Sequence, residues 1–592
     1  MKKVAKIFGM ILLMLPLIVG AMFLSPNLAQ NATQTAQNGG GGGNLLNSPE
    51  IGENSDFEGV EDPKQDSGNT TWTEPTFKTY DDYFTDLNIT AETITEQDLT
   101  GKGSASDPYV VHSTRGFLWL TGYEYSRIVA VAVYIELDCD IILNDETFDK
   151  NGTPSGGDGV IYSWYAFSTR FSHNYVYCNN FGIYGCYFNQ EEQDCFAFFG
   201  KNSYVITDLS FSNFYVSVGS GEIFLLSKWI NGQKAIMMEN IVVKNGVLIG
   251  KEVFWTSTTT NVIDCVNYAD MRATSSCAPF GNQLTNGNVI GCVNYGDIYL
   301  ANGWAAGGIV AGAHGKSQII NCKNFGDIVC GQRHIGGIVG ISYANAGHTI
   351  ISNCENYGNI TDTYNSVCGG IIGTAESKID IINCKNYGKI KVTQSYGIGA
   401  MVGIAYAYVF DTEISIVGCY SYSEEKIYYI GQCIQQCFLK INIYDTQIEY
   451  DIKGEGLKNI MFPHNRYSIP FEFNMKNVKL KINQQQKSSF MLLSDIGNAN
   501  NNRKIILRDI LLESNVATTK QEYIQAYDFV DAERIVVCAG ENKYFYGDNF
   551  SNFYVDWKSG KIGLKSMSGK GFYQGRVSEE WMIEKGFTKK AI

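Results

Sequence analysis

Five segments of the chain are variants of one ten-residue phrase: VIDCVNYADM (262–271), VIGCVNYGDI (289–298), IINCKNFGDI (319–328), ISNCENYGNI (351–360) and IINCKNYGKI (381–390). A degraded sixth copy, IVGCYSYSEE, follows at 416–425. The cysteines of successive copies are 27 to 35 residues apart. Repeats of this length are typical of solenoid proteins, in which each unit buries its apolar side only by stacking on its neighbours.

A second phrase lies between the cysteine-centred copies. It reads GGIVAG from Gly307, GGIVG from Gly336, GGIIG from Gly369 and, less regularly, GAMVG from Gly399. Each unit is thus a series of short β-rich runs separated by Gly and Asn, without a helical period. Crossovers between parallel strands are right-handed in about 98% of cases. The sequence therefore predicts an all-β chain that forms a right-handed parallel β-helix (a solenoid), with an N-terminal signal and linker and a C-terminal cap.

Positions within the phrase predict distinct roles. The residues that follow the cysteine by two, three and four places are, in successive copies, Asn267, Asn294, Asn324, Asn356 and Asn386; Tyr268, Tyr295, Phe325, Tyr357 and Tyr387; and Gly296, Gly326, Gly358 and Gly388. The amides are expected to form a hydrogen-bonded ladder and the aromatic rings a stack. The glycines are expected to make positive-φ turns. The cysteines should be small buried hydrophobes with free thiols, because a disulfide needs a specific Cβ separation and torsion.

The two phrases together resemble the GLUG repeat of bacterial surface and secreted proteins. The resemblance covers about residues 261–425, and Cys stands here where Ser is more usual. The first and last copies depart from the pattern at Ala269 and Ser421. The family has no assigned catalytic residues, so the resemblance implies an architecture and no active site.

The N-terminus is typical of an export signal. Lysines among the first six residues precede an apolar run at 7–24, and Ala29 follows at a suitable cleavage position. Pro16 within the run favours a cleaved signal over an anchor. Residues 1–30 are predicted to be a signal peptide or, alternatively, an N-terminal membrane anchor, which would be the protein's sole contact with the membrane. The protein is expected to be extracellular or on the cell surface.

The segments on either side of the repeats are predicted with less detail. Polar composition and a run of glycines predict a flexible low-complexity linker at 31–100. Residues 101–260 are expected to form an N-terminal cap and irregular coils, with Ser113 capping a short helix that covers the open end of the stack. Residues 426–545 keep strand-like runs but lose the repeat code, so further β coils and a small β domain both stay open. Residues 546–592 are rich in Lys and Arg and are predicted to be a basic C-terminal cap.

Composition excludes several functions. The 592-residue chain has a net charge of −14, and an acidic body repels phosphate backbones, so nucleic acid is not an expected partner. The sequence contains no phosphate-binding loop, dinucleotide fingerprint or nucleophile elbow, and no cofactor is predicted.

Few residues suggest catalysis or metal binding. A polysaccharide-cleaving site on a β-helix needs clustered carboxylates, and Asp270, Asp297 and Asp327 occupy one repeat position. The next two copies carry Asn359 and Lys389 there, which favours a solvated surface ladder.

Histidines and the remaining cysteines give no stronger signal. His314, His334 and His348 fall in successive units at different offsets, so they are not expected to align as metal ligands. Cys433 and Cys437 lack a second ligand pair for zinc. No catalytic, cofactor-binding or metal residue is predicted.

These observations favour a non-enzymatic exported scaffold, an adhesin-like surface or secreted protein that binds extracellular polysaccharide or host glycans. Aromatic residues make up 13% of the chain; they could stack on sugars or only pack the coils, and packing is favoured. A polysaccharide lyase or glycoside hydrolase built on the β-helix stays open as an alternative, and so does a passive surface spacer.

Overall fold

A computed structural model describes residues 75–564, apart from the segments 123–131, 166–173, 201–202, 229–235, 257–259, 302, 332, 345–346, 365, 393–396, 408, 454–459, 462–470, 486–502, 516–520, 526–529, 540–541, 547–551 and 557–560. The predicted signal peptide, residues 31–74 of the predicted linker and most of the predicted C-terminal cap lie outside the described residues. Neither helix in the described part of the chain has the length and apolarity needed to cross a bilayer.

The described chain is nearly all β-structure and winds into stacked parallel turns, which confirms the predicted parallel β-helix. One face runs almost the full length, and each strand pairs in parallel with its equivalent in the next turn. Its strands are Tyr109–Val111, Val133–Leu137, Asn174–Tyr177, Val205–Val218, Ile236–Thr256, Thr260–Ile263, Asn288–Ile290, Gln318–Ile320, His348–Ser352, Lys378–Ile382, Thr412–Val417, Leu439–Tyr444, Phe471–Gln484, Arg503–Ser514 and Val530–Ala539.

A complete repeat turn has five short strands. The first such turn comprises Asn288–Ile290, Val293–Asn294, Ile298–Leu300, Ala305–Gly307 and Val310–His314. The same pattern recurs in Lys323–Asn324, Ile328–Cys330, His334–Gly336 and Val339–Ser342; in Glu355–Asn356, Ile360–Asp362, Val367–Gly369 and Ile372–Ala375; and in Lys385–Asn386, Ile390–Val392 and Ile398–Ala407. The preceding turn has Val266–Asn267, Asp270–Cys277 and Gln283–Thr285.

Parallel stacking extends beyond the repeats in both directions. Upstream strands include Ile141–Ile142, Val160–Tyr162, Gly182–Tyr184, Tyr187–Gln190, Cys195–Phe196 and Glu222–Ser227, and downstream strands include Tyr420–Ser423, Tyr428–Gln435 and Gln447–Ile452. Strands Thr147–Phe148 and Pro154–Ser155 instead pair antiparallel with each other in a separate two-stranded sheet. Antiparallel pairing appears at the C-terminal end, where Val530–Ala539 pairs with Asn542–Tyr546. A separate antiparallel sheet joins Gln521–Gln525, Asn552–Asp556 and Lys561–Leu564.

The predicted linker ends earlier than residue 100. Strand Thr76–Lys78 pairs in parallel with Val160–Tyr162. It is followed by helix α1, Tyr80–Asp86, in which Tyr83 is buried. This part of the chain is structured because its aromatic side chains Tyr80, Tyr83 and Phe84 pack in the main core.

A second helix, α2 (Thr114–Gly122), lies at the N-terminal end of the coils. The amide of Gly116 donates to the Ser113 hydroxyl at 3.1 Å, so Ser113 caps this helix as predicted. Phe117 is fully buried and stacks on Phe198 of the coils, with ring centroids 6.2 Å apart. The helix therefore closes the apolar interior at this end.

The asparagines form the predicted ladder inside the repeat turns. Each of the five is completely buried. Successive Nδ2–Oδ1 distances from Asn267 to Asn386 are 2.8, 2.9, 2.9 and 2.8 Å. Each Nδ2 also donates to the carbonyl two residues ahead, for example Asn324 to Gly326 at 3.0 Å. We call these five residues the amide column; their hydrogen bonds satisfy polar groups that burial would otherwise destabilise.

The repeat glycines have a different role from the one predicted. Gly296, Gly326, Gly358 and Gly388 are not among the residues with positive φ. A Cβ on Gly326 would lie 2.0 Å from the carbonyl oxygen of Gly296 in the preceding turn. Glycine is needed here because the backbones of adjacent turns approach each other closely, not because of a left-handed turn.

The left-handed residue instead directly precedes the cysteine, and its column extends well beyond the repeats. Its members are Asp208, Asn240, Asp264, Gly291, Asn321, Asn353, Asn383, Gly418, Asp445, Asn477 and Asp509, with φ between +51° and +69°. Asn, Asp and Gly are the residues that tolerate this conformation at least cost. This column marks the same corner in successive turns from Asp208 to Asp509.

The six repeat cysteines are buried and unpaired, as predicted. Cys322 shows the pattern: its Sγ lies 3.4 Å from the carbonyl oxygen of Val289 in the preceding turn and 3.3 Å from that of Ile320. The thiols therefore act as small buried groups that donate weakly to backbone carbonyls.

Candidate functional site

The repeat aromatics form an exposed stack along one edge of the solenoid, which we call the aromatic column: Tyr268, Tyr295, Phe325, Tyr357 and Tyr387. Neighbouring rings have centroids 4.7 to 5.0 Å apart and planes within 16° of parallel. The side chains are 37 to 49% exposed. Because each inner ring has a neighbour on both faces, the column presents ring edges and phenol hydroxyls to solvent rather than open ring faces.

The repeat acids have a structural task. The Oδ1 atoms of Asp270, Asp297 and Asp327 each accept the backbone amide of the equivalent residue in the next turn, at 3.1, 2.8 and 2.7 Å. The last of these amides belongs to Asn359, whose own Oδ1 accepts the amide of Lys389 at 3.1 Å. Burial, and after it the neighbouring aspartates, raise the pKa of Asp297. The carboxylates are thus used to join turns, which favours the predicted ladder over a catalytic cluster.

A different corner of the coils carries a second apolar cluster outside the main core. The strands before and after each Gly-Gly phrase meet here, so that Ala305 and Ala311 pack on the same small cluster. Its buried members are Cys195, Ala197, Phe224, Phe254, Ala278, Ala305, Ala311 and Ile341, with Tyr343 packed against them. Two strands of one turn therefore contribute to a buried cluster of small and aromatic side chains.

At this corner five polar and aromatic side chains join into what we call the corner cluster: Trp304, His314, Arg333, His334 and Tyr343. Trp304 Nε1 donates to the hydroxyl of Tyr343 at 3.1 Å. The guanidinium of Arg333 lies 4.5 Å from the centroid of the Trp304 ring. His334 meets the same indole edge-on at 5.2 Å, and His314 stacks on Tyr343 at 4.0 Å. Despite these contacts Trp304 remains 41% exposed.

The register of the coils explains this convergence. Ala313 pairs with Ser342, so the residues that follow them, His314 and Tyr343, stack in adjacent turns. A Cβ on Gly312 would lie 2.6 Å from Cε2 of Tyr343, so glycine makes room for the tyrosine ring. His334 bonds across the corner through Nδ1 to the Thr374 hydroxyl at 2.7 Å.

Arg333 holds its position at a conformational cost. Its φ is +58°, in the left-handed region that long side chains rarely adopt. Backbone strain of this kind persists where surrounding contacts enforce it, and it is frequent at functional sites. Here it accompanies the placement of a cation over an exposed indole.

Two glutamates flank the corner cluster. Asn282 Nδ2 donates to Glu252 Oε2 at 3.0 Å, and the amide of Ala344 donates to Glu376 Oε2 at 3.3 Å. Burial raises the pKa of both carboxyl groups, and Glu222 raises that of Glu252 further. Burial also raises the pKa of Tyr343, as do, to a smaller extent, Glu376 and Glu252. Both carboxylates therefore contribute negative charge to the surroundings of Tyr343.

Burial also changes the pKa of the two histidines in the corner cluster. The pKa of His334 is lowered to about 4 by burial and by the neighbouring charge of Arg333. Burial lowers the pKa of His314 as well. Both rings are thus neutral at pH 7 and can offer a hydrogen-bond acceptor. His348 lies apart from them in the contacts it makes, with Nε2 2.8 Å from Asp380.

Sequence reasoning did not identify the corner cluster. The three histidines do lie at different offsets, as predicted. Two of them, His314 and His334, are nevertheless joined through Trp304 and Tyr343, which are 39 residues apart. One feature of the sequence could have indicated the corner cluster: Trp304 and Tyr343 lie beside the Gly-Gly phrases, and each occurs in a single repeat unit.

Cys433 is buried, and burial raises the pKa of its thiol to about 12.

No family model matches the chain, so membership of the GLUG family stays a prediction. The curated proteins contain no match to its sequence. Among solved structures, a Bacteroides ovatus protein described as a candidate immunoglobulin A1 protease is similar at 18% identity, covering 54% of this chain and 85% of that protein, with a TM-score of 0.34. A likeness at this level carries no argument about activity.

Proposed function

We propose that this β-helix is an extracellular scaffold that binds polysaccharide, and that the corner cluster is its binding site. The single observation that carries the proposal is Trp304, an indole that is 41% exposed yet held by Arg333, His334 and Tyr343. Rigid aromatic residues give large contact area at low entropic cost, and truncating them weakens binding strongly.

The polar groups that flank the corner cluster suit a sugar. Carboxylate and amide groups at Glu252, Asn282 and Glu376 can exchange hydrogen bonds with ring hydroxyls. A ligand site of this kind combines an apolar surface with a few placed polar groups. The aromatic column is a weaker candidate because its inner ring faces already stack on one another.

Binding is tested by incubating the purified chain with a panel of plant, host and bacterial polysaccharides and measuring its retention on each polymer. Trp304→Ala should weaken retention about tenfold or more. Tyr295→Ala is the matched control, because Tyr295 is 45% exposed but has both ring faces covered. If Tyr295→Ala abolishes retention and Trp304→Ala does not, binding belongs to the aromatic column. Retention on no polymer would favour the passive spacer.

A polysaccharide-cleaving enzyme is the second candidate, supported by the raised pKa values of Glu252 and Glu376 beside Tyr343. Glycan cleavage commonly needs one carboxyl group kept protonated and another group that acts as base. The same incubation measures new reducing or unsaturated ends. Their appearance, and their loss in Glu376→Gln, would favour the enzyme over the binding scaffold.

Export belongs to the same proposal. It is supported by the lysine-rich start and the apolar run at 7–24. Protease treatment of intact cells should digest the protein if it is on the surface, while a protein found only in the cytoplasm would contradict the proposal.

A further inference from the structure

The turn between residues 143 and 160 brings three carboxylates together. One oxygen from each of Asp145, Glu146 and Asp158 lies within 4.8 Å of the others. The two aspartates are exposed, whereas Glu146 is 1% exposed. Three acids at this distance repel one another unless a cation or protons compensate their charge.

Glu146 is only half satisfied by the protein. Its Oε1 accepts the amide of Gly159 at 2.9 Å. Its Oε2 is buried and has no hydrogen-bond partner. Burial, and after it Asp145 and Asp158, raise the pKa of this carboxyl group. A buried carboxylate oxygen without a donor is costly, and a bound cation removes that cost.

Two of these carboxylates lie close to the backbone of the turn because residue 157 is glycine. A Cβ on Gly157 would lie 2.4 Å from Glu146 Oε1 and 2.5 Å from Asp145 Oδ1. Gly157 also has a φ of +62°, which disfavours any side chain there. The sequence and the backbone thus both allow two carboxylates to pack closely against this turn.

We propose that Asp145, Glu146 and Asp158 bind a divalent cation, and that the ion is calcium. Carboxylate oxygens are hard ligands that select Ca²⁺ or Mg²⁺ over zinc and copper. Calcium takes 6 to 8 oxygens in flexible geometry, which a glycine-rich turn can complete with backbone carbonyls and water. Magnesium demands a near-ideal octahedron and is usually held by only one or two carboxylates.

The ion would also fix the start of the ordered chain. The amide of Gly159 donates to Glu146, and the carbonyl of Gly159 accepts the amide of Thr76 at 2.8 Å. Strand Thr76–Lys78 docks on Val160–Tyr162 directly after this point. Calcium therefore stabilises the attachment of the first strand to the coils.

The test is a calorimetric titration of the full-length chain, freed of metal by a chelator, with calcium chloride and separately with magnesium chloride. Calcium should bind with a Kd of about 10⁻⁴–10⁻³ M, the range of extracellular sites. Glu146→Gln and Asp158→Asn should each weaken binding about tenfold or more. Asp149→Asn is the matched control: Asp149 lies in the same turn, but its Oδ1 accepts the amides of Asn151 and Thr153, which asparagine also accepts.

A thermal melt separates this site from a purely structural role for Glu146. Calcium should raise the Tm of the unaltered chain and leave that of Glu146→Gln unchanged. Without calcium, Glu146→Gln should melt no lower than the unaltered chain, because it removes a repelling charge. The proposal is overturned if millimolar calcium gives no binding heat, if the two acid variants and Asp149→Asn bind alike, or if magnesium binds as tightly as calcium.

Discussion

The repeat turns and the turns that follow them have the same backbone path, but one column of equivalent buried positions holds polar side chains in the first and apolar side chains in the second. In the repeats the column holds buried amides from Asn267 to Asn386. Downstream, Ser421 pairs with Ile448, Ile448 with Leu480 and Leu480 with Leu512. The three downstream residues are buried aliphatic side chains.

The comparison shows that this column needs internal consistency rather than one residue type. Inside the amide column each side chain bonds to the next, so polar atoms are satisfied; an aliphatic column has no polar atoms to satisfy. An amide meets an apolar side chain at the upstream end of the amide column, where it joins the preceding turn; we call this place the junction. Asn267 faces Val243 of the preceding turn, and its Oδ1 is buried without a hydrogen-bond partner.

The largest expected effect comes from placing an amide in the aliphatic column. Leu480→Asn loses buried apolar surface and leaves an amide with no ladder to join, which should lower stability by about 4 kcal/mol. Hydrogen exchange of strand Phe471–Gln484 measures this change. Leu480→Met is the control and should cost less than about 1.5 kcal/mol. A small effect of the asparagine would mean that the downstream turns can satisfy a polar group.

The next largest effect comes from breaking the amide column at its centre. Asn356→Ala removes the acceptor of Asn324 and both donor bonds of Asn356, to Gly358 and Asn386, and should cost about 3 kcal/mol. The fall in unfolding free energy or Tm measures it.

The same substitution at the junction serves as its control. Asn267→Ala should cost only about 1 kcal/mol, because it removes two donor bonds, to Ala269 and Asn294, but also removes a buried side-chain Oδ1 that has no partner. Equal losses at the two positions would contradict the view that the ladder bonds, rather than side-chain volume, stabilise the column.

A smaller effect is expected on the pH dependence of stability, through His334 in the repeat turns. The pKa of His334 in the folded protein is about 4, below the ordinary histidine value of 6.5. Between pH 4 and pH 6.5 this histidine binds protons more readily in the unfolded chain than in the folded chain. The full contribution to the free energy of unfolding is therefore present above pH 6.5 and is lost as the pH falls towards 4, with a loss of about 2 kcal/mol at pH 5. His334→Gln should lose this dependence, measured as the difference in Tm between pH 7 and pH 5. An unchanged pH dependence in the variant would show that His334 titrates normally.

Much of the repeat architecture could be predicted from the sequence. A ten-residue phrase that returns every turn places like residues on top of one another, so the ladder of Asn324 and its equivalents, the ring stack and the free thiols followed directly. The role of Gly326 was predicted wrongly, since a glycine that permits a positive φ and one that permits close approach look alike in a sequence.

The downstream turns were left undecided because their signal is weaker. Asp445, Asn477 and Asp509 continue the left-handed column, but one tolerant residue per turn is common in any loop. Alternating apolar residues around them suit a coil and a sandwich equally.

The sequence by itself determined the solenoid, because each copy of the repeat places the same residue types at the positions that stack in adjacent turns. Only the tertiary structure decided which unrepeated side chains meet. Trp304 reaches Tyr343 through the register of adjacent turns, and Asp145 reaches Asp158 through the fold of a glycine-rich turn. Such contacts depend on the path of the backbone in space, and a residue that occurs once leaves no periodic trace of its partner.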